Sequence, residues 1–215
     1  FVRPDERLAG GIPNEDAQSF VFDTTSLFER DKFSGFDRTE GGTRANVGFR
    51  YTGSFDNGLQ TQAAFGQSYQ LAGLNSFATA DLSQATRNAG LEGRVSDFVG
   101  MGAVSYNGFS LAASARFDKD DFRAERTDVR AGFSKNRIST SMTYTEIKAP
   151  RPFVAGDEDR RELTGYASLK VHDYWRVAAS ASYDLVDRKF NRNAFGLLYE
   201  DECFAFALAY ENTRD

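Results

Sequence analysis

Three residue types occur only once in the sequence, and two of them have reactive side chains: Cys203 and His172. A hydrolase built on a serine and a histidine would have to use His172. This residue stands beside Asp173 between two alternating segments, so we interpret it as a solvated turn residue. One histidine and one cysteine cannot form a metal cluster. The acidic residues of the first 42 positions could hold a divalent cation, but a structural role is favoured. The sequence therefore predicts no catalytic residue, no metal and no cofactor.

A second chemical feature is a set of charged residues within segments that otherwise alternate between apolar and polar residues. They all fall on the polar side of the alternation. A soluble two-layer sheet would tolerate them because one face meets water, and a membrane barrel would place them in a polar lumen. The set comprises Arg44, Arg50, Arg116, Asp128, Arg130, Lys170, Arg176 and Asp184.

The elements that position these residues are predicted by a period of two that runs from Thr43 onward. The pattern predicts about ten strands in five hairpins, joined by turns of two or three residues. Asn57-Gly58 and Asn107-Gly108 are typical of primed hairpin turns, which need positive φ angles. The other turns are predicted at Lys135-Asn136-Arg137, His172-Asp173-Tyr174 and Glu200-Asp201-Glu202.

Loop lengths and aromatic residues favour a membrane barrel over a soluble β-structure. Two connections at the end opposite the short turns are much longer, about Gln70 to Ser96 and Lys148 to Arg160, as is typical of outer-membrane barrels. The apolar side also ends in aromatic residues near the short turns, which predicts an interfacial girdle. These residues are Phe55, Tyr106, Phe109, Phe133, Trp175, Tyr199 and Phe204.

Composition excludes other classes of protein. The 215 residues carry a formal net charge of −5, without a basic face for nucleic acid. The mean hydropathy of −0.51 and the absence of a run of about 18 apolar residues exclude a transmembrane helix. The first residues do not have the pattern of a signal peptide, so we expect either a mature form that begins here or a piece of a longer polypeptide.

Several motifs resemble the outer-membrane lipopolysaccharide-assembly family, LptD. The matching stretches are Pro13-Asn14-Glu15-Asp16, Phe22-Asp23-Thr24-Thr25, Leu27-Phe28, Arg30 to Arg38, Glu40 to Asn46, Phe65 to Gly73, Asp120 to Arg126 and Tyr199 to Tyr210. The resemblance implies an all-β fold, an antiparallel meander of about ten strands within a large transmembrane outer-membrane barrel of about 26 strands. Residues 1–42 would be a long structured extracellular or lumen-capping loop, and residues 43–215 an incomplete barrel segment. The first and last strands, where a lateral gate forms, are expected to be absent.

The resemblance also implies a function without bond-making chemistry. The family inserts lipopolysaccharide into the outer leaflet of the outer membrane of Gram-negative cells. The implied partners are lipopolysaccharide, an LptE-like plug lipoprotein and, through a missing N-terminal domain, an LptA-like periplasmic bridge protein. A passive porin and a soluble β-sheet binding domain are the alternatives that the alternation alone leaves open.

Three site hypotheses follow from this resemblance. Cys203 is a candidate for a disulfide to the missing N-terminal part, because the family carries such bridges and the turn would face an oxidising compartment; a free thiol is the alternative. The arginines on the polar side could contact phosphate groups of a glycolipid, although pairing with nearby acidic residues is favoured. The N-terminal loop either folds over the barrel mouth or closes the lumen, and the residues expected to close it are Phe33, Gly35, Phe36, Asp37 and Arg38.

Overall fold

The computed structural model describes residues 21–33, 40–78, 88–149 and 158–213. One short 3-10 helix, Ser26–Phe28, precedes the strands. The strands are β1 Thr43–Ser54, β2 Gln60–Ala72, β3 Phe98–Tyr106, β4 Phe109–Phe117, β5 Ala124–Lys135, β6 Ile138–Ile147, β7 Arg160–Lys170, β8 Trp175–Asp184, β9 Lys189–Glu200 and β10 Ala205–Thr213.

All ten strands form one antiparallel sheet in which each strand pairs with its neighbour in sequence, from β1 to β10. Within the described residues β1 and β10 are the two edges and do not pair with each other. The sheet confirms the prediction of an antiparallel meander. It also confirms the asymmetry of the connections, since the two long connections, β2–β3 and β6–β7, leave and rejoin the sheet at one end and the short turns lie at the other.

The two Asn-Gly turns differ in backbone conformation. Asn107 and Gly108 have φ angles of 45° and 86°, as the predicted primed turn requires. At the first turn only Gly58 has a positive φ, 84°, and the Phe55 amide donates to the Leu59 carbonyl. The prediction of a primed turn is therefore wrong there, because a longer loop with glycine in the left-handed position joins the strands.

The strand register sorts the side chains into two faces. Arg50 pairs with Ala64, and the same row continues through Met101, Ser114 and Asp128. We call this side of the sheet the polar face. Residues that are directly opposite each other, or two apart on one strand, share a face. The register therefore places all eight charged residues of the sequence analysis on the polar face. The other side, the apolar face, carries the residues of the opposite parity.

The apolar face is exposed and ends in aromatic residues at both ends. Near the short turns, Phe109 contacts Phe133 at 4.5 Å between ring centroids. At the long-loop end a second series was not predicted: Phe98 pairs with Phe117 at the ends of β3 and β4, and the Tyr183 ring lies 5.0 Å from Phe190. Two aromatic bands therefore border an apolar surface, the arrangement of a barrel wall between two membrane interfaces.

A cap covers the polar face at the long-loop end. It consists of the described residues 21–33, 40–42, 73–78 and 88–97. The apolar residues at its centre form one buried cluster: Phe22, Leu27, Phe33, Phe77, Leu91 and Val99. Val99 belongs to β3, so the cluster attaches the cap directly to the sheet.

Two glycines make room for the cap. Gly48 and Gly66 face each other on β1 and β2, with Leu27 above Gly66 and Phe28 above Gly48. A Cβ atom at Gly66 would come within 2.5 Å of Leu27 Cδ2 and 2.6 Å of the Val47 carbonyl oxygen. The sheet therefore accepts Leu27 only because Gly66 has no side chain.

We expect Gly66→Ala to destabilise the protein by about 1–3 kcal/mol, because the Val47 backbone cannot move away as a flexible side chain could. Gly102→Ala is the control, since a Cβ there meets nothing within 4 Å. The urea midpoint of the full-length protein in detergent measures both. Equal midpoints for the two variants would contradict the docking of the cap on Gly66.

Candidate functional site

The candidate site is the polar face together with its cap. Apart from Arg44, Arg116 and Lys170, the predicted charged residues of this face fall into two groups. Asp128 is paired, since Arg126 Nε lies 2.7 Å from Asp128 Oδ2 and the Thr145 hydroxyl donates to Oδ1 at 2.8 Å. Asp184 accepts from the amides of Val186 and Asp187. These carboxylates have a structural role in holding strands and turns in place.

Three arginines form the second group. Arg50, Arg130 and Arg176 are exposed, and the described residues provide none of them with an ion pair. Arg130 stands opposite Ala112 and Thr143, which leave its guanidinium uncovered. Such arginines can bind phosphate through two parallel hydrogen bonds.

An open groove of about 370 Å³ surrounds one of these arginines at the short-turn end of the sheet. Arg176 and Lys170 line it together with Leu198, Glu200 and Glu202. Glu200 ends β9 and Glu202 lies in the turn that follows, while the two cations lie on β7 and β8. The groove is therefore of mixed charge and opens onto the polar face.

Buried charges connect the cap to β1. Arg44 Nε lies 2.7 Å from Glu40 Oε1, and Lys32 Nζ lies 3.3 Å from Glu40 Oε2. The other guanidinium nitrogens donate to Ser68 Oγ at 3.2 Å and Asn75 Oδ1 at 3.0 Å. Desolvation by burial lowers the pKa of Lys32. Arg44 thus links the cap and two strands.

Asn75 extends this connection to the rest of the cap. Its amide nitrogen donates to the carbonyl oxygens of Leu91, Glu92 and Gly93, at 2.9 to 3.1 Å. Its oxygen also accepts from the Phe77 amide at 3.1 Å. One side chain therefore holds the two described parts of the β2–β3 connection together.

Asp97, directly before β3, forms the second ionic connection. Its Oδ2 lies 3.3 Å from Arg116 Nε on the polar face. Burial raises the pKa of Asp97 to about 6, while Arg116 opposes that rise and the carboxylates of Asp118 and Glu92 add to it. The Asp97 carboxylate is thus easier to protonate than an exposed one.

This raised pKa predicts a pH dependence of stability. The folded state binds a proton at Asp97 more tightly than the unfolded state, whose pKa is about 3.8. This contribution to stability is complete below about pH 4 and is lost as the pH rises through about 6, by at most about 3 kcal/mol. Asp97→Asn should remove that slope from the unfolding free energy measured between these pH values. An unchanged slope would contradict the assignment.

Cys203 and His172 lie at the short turns. Cys203 is exposed and falls within the β9–β10 turn rather than on a strand, because Asp201 Oδ1 accepts from the amides of Cys203 and Phe204. The His172 ring lies 5.9 Å from Tyr174 in an exposed turn. Within the described ranges, no group of three or more histidine, cysteine, aspartate or glutamate residues could hold a metal ion.

The cap residues predicted from sequence are only partly described. Phe33 is buried and stacks on Phe77 at 4.6 Å between ring centroids. Gly35, Phe36, Asp37 and Arg38 lie outside the described residues. Sequence reasoning missed Phe22, Leu27, Phe77 and Leu91, since none of them lies in an alternating segment.

The exposed apolar face, the charged polar face and the unequal connections together define a class of protein. Leu111, Met142 and Leu208 are 50%, 53% and 60% exposed, as in strands that face lipid. In the part of the chain that the structure describes, no helix is long and apolar enough to span a membrane. The sheet belongs to the outer-membrane β-barrel class.

A family model described as "LptD: LPS transport system D" matches residues 1–152, and the chain belongs to this family. A search among curated proteins found no match. The protein is therefore an outer-membrane protein of lipopolysaccharide transport, and the resemblance seen in the sequence is confirmed.

Proposed function

We propose that this chain is part of a translocon that inserts lipopolysaccharide into the outer leaflet, and that it does so without enzymatic chemistry. The polar face lines the lumen, and the apolar face meets lipid. The observation that carries the proposal is the set of exposed arginines, Arg50, Arg130 and Arg176, on the polar face. Lipopolysaccharide carries phosphate groups, which guanidinium groups bind well.

The role of the three arginines is transient binding of phosphate during passage. Small residues surround Arg130, so a large sugar can approach the guanidinium. The carboxylates of Asp128 and Asp184 already accept hydrogen bonds from other groups, so they do not compete for the Arg130 guanidinium. Such a surface binds the glycolipid weakly at several points, which allows it to move on.

The test replaces Arg50, Arg130 and Arg176 by glutamine in the full-length protein. Each lost charge-assisted contact weakens phosphate binding by up to about tenfold, so newly made lipopolysaccharide should reach the cell surface several-fold more slowly in a pulse-chase measurement. The control replaces Lys119, Arg137 and Arg188, which lie in loops and turns, by glutamine. Equal rates for the two triple variants, at equal amounts of folded protein, would refute the proposal.

The cap, in this proposal, closes the lumen at the outer end. It packs on the polar face through Leu27 and Val99, so it occupies the space that the lumen would offer there. Residues 1–42 would supply part of this closure, to which the buried Phe33 contributes.

The partners belong to the same proposal. An LptE-like lipoprotein would occupy the lumen beside the polar face, and an LptA-like bridge would deliver the lipid through an N-terminal domain. The groove near Arg176 opens at the short-turn end, which is the periplasmic end of such barrels.

Cys203 is proposed to form one half of a disulfide to the N-terminal part. The thiol is exposed in a periplasmic turn, where an oxidising compartment allows a bridge. The full-length protein should migrate differently in gels with and without reductant, and Cys203→Ser should abolish the difference. The same migration of the unsubstituted protein under both conditions would exclude the bridge.

A further inference from the structure

Phe122 has a backbone conformation that is rare for a bulky residue. Its φ is 59°, in the left-handed region that glycine and asparagine adopt readily and phenylalanine avoids. A residue held in such a conformation is evidence that its side chain has a role. Phe122 lies in the connection between β4 and β5, at the long-loop end of the sheet.

The turn itself does not require a phenylalanine. The Phe122 amide donates to the Asp118 carbonyl at 3.1 Å, and the Asp118 amide donates to the Arg123 carbonyl at 2.8 Å. The Asp118 carboxylate accepts from the amides of Asp120 and Asp121. All of these bonds use backbone groups or Asp118, so glycine or asparagine at position 122 would form the same turn with less strain.

The strained backbone places the Phe122 ring on the apolar face. Its centroid lies 5.0 Å from the Phe98 ring and 5.3 Å from the Phe117 ring. Phe98 and Phe117 belong to the aromatic band at the long-loop end, so Phe122 continues this band beyond the ends of the strands. The side chain nevertheless remains 54% exposed, which these contacts do not explain.

The other residues of the turn are polar. Lys119 and Asp120 form an ion pair with each other, and the Lys119 ammonium group is bonded within the turn. The turn therefore presents one aromatic ring on the side of the apolar face and charged groups elsewhere. Aromatic residues with this placement sit at the boundary between lipid headgroups and acyl chains.

We infer that the β4–β5 turn is a membrane anchor, and that Phe122 inserts into the headgroup boundary of the outer leaflet. The occupant of this surface is lipid, because the ring continues a face that lies in the outer membrane. The anchor fixes the depth of β4 and β5 in the bilayer. This inference depends on the outer-membrane location of the protein and not on the proposed route of lipopolysaccharide.

The first test places a tryptophan at the anchor, with Phe122→Trp in the full-length protein reconstituted in phosphatidylcholine vesicles. The signal is the fluorescence difference from the unsubstituted protein. Lipids brominated near the headgroup should quench it at least twofold more than lipids brominated near the acyl ends, and aqueous iodide should quench it little. Lys119→Trp, in the same turn, should show the opposite. Equal iodide quenching of the two tryptophans would overturn the inference, and so would protection of position 122 from both quenchers, which would indicate a protein partner.

A second measurement does not depend on the folding of the tryptophan variant. Phe122→Asn relieves the backbone strain and removes the ring. If the residue only formed a turn, this variant would unfold in vesicles at the same or a higher urea concentration than the unsubstituted protein. The anchor predicts a lower urea midpoint in vesicles, and an unchanged or raised midpoint would overturn it.

Discussion

Arginine in place of Ala113 is expected to destabilise the full-length protein in a bilayer by about 2–4 kcal/mol, because its charge would lie in the hydrocarbon near the midplane. Ala113 is the middle residue of β4, on the apolar face, opposite Gly102 and Val129. The measurement is the urea midpoint of the protein refolded in phospholipid vesicles.

Two matched variants separate the effect of the charge on stability from the effects of side-chain size and of the face on which the residue lies. Ser114→Arg introduces the same side chain one residue further along, on the polar face opposite Asp128, and should cost about 0–1 kcal/mol. Ala113→Leu adds bulk without charge and should be close to neutral. A cost for Ser114→Arg as large as that for Ala113→Arg would mean that the two faces are not in different surroundings, and the assignment of the apolar face to lipid would fail.

The second large effect is expected for Arg44→Ala. The Arg44 side chain is only 4% exposed and pairs with Glu40, so its loss leaves a buried carboxylate with Lys32 as its remaining charged partner in the described cluster. Breaking a buried pair from one side costs about 3–5 kcal/mol. The same change also removes the bonds to Ser68 and Asn75, which connect the cap to the sheet.

Limited proteolysis measures this effect at the cap. Trypsin should cut after the exposed Arg30 much faster in Arg44→Ala than in the unsubstituted protein. Arg50→Ala is the control, since Arg50 lies on the same strand and face but is exposed, and it should change neither the cutting rate nor the urea midpoint. Equal cutting of both variants would show that Arg44 does not hold the cap.

The hairpins could be predicted from sequence because the residues that determine each of them are close together in the chain. Alternation fixes which side chains share a face, and a turn such as Asn107-Gly108 fixes the register of the strands beside it. The placement of Arg50 and Arg176 on one face follows from these two features, although they are separated by six strands.

Where a residue interrupts the alternation, the cause is a contact with residues that are distant in sequence. Gln67 stands on the apolar parity of β2, and its amide nitrogen donates to the Ser96 carbonyl at 2.8 Å. The bond joins β2 to the irregular stretch before β3, where Val95 forms an isolated bridge to Tyr69. A loop of about 25 residues separates these partners in sequence, so no short pattern could indicate their contact.

The cap was the least predictable part of the site. Leu27 and Phe22 share a buried cluster with Val99, and Leu27 also fills the space above Gly66; these partners are remote in sequence. Phe122 was likewise hidden, because its left-handed conformation is visible only in the backbone angles. Long-range packing, rather than propensity, determined these positions.

Photo-crosslinking in living cells tests most directly whether lipopolysaccharide passes along the polar face while the apolar face meets membrane lipid. It compares two photo-reactive side chains, one at position 176 and one at position 177. Arg176 is on the polar face at the short-turn end, and Val177 is its neighbour on the apolar face. If lipopolysaccharide passes along the polar face, it should crosslink to position 176, and this crosslink should disappear when the supply of lipopolysaccharide is stopped. Position 177 should instead crosslink to inner-leaflet phospholipid. Lipopolysaccharide at position 177 and none at position 176 would contradict this prediction.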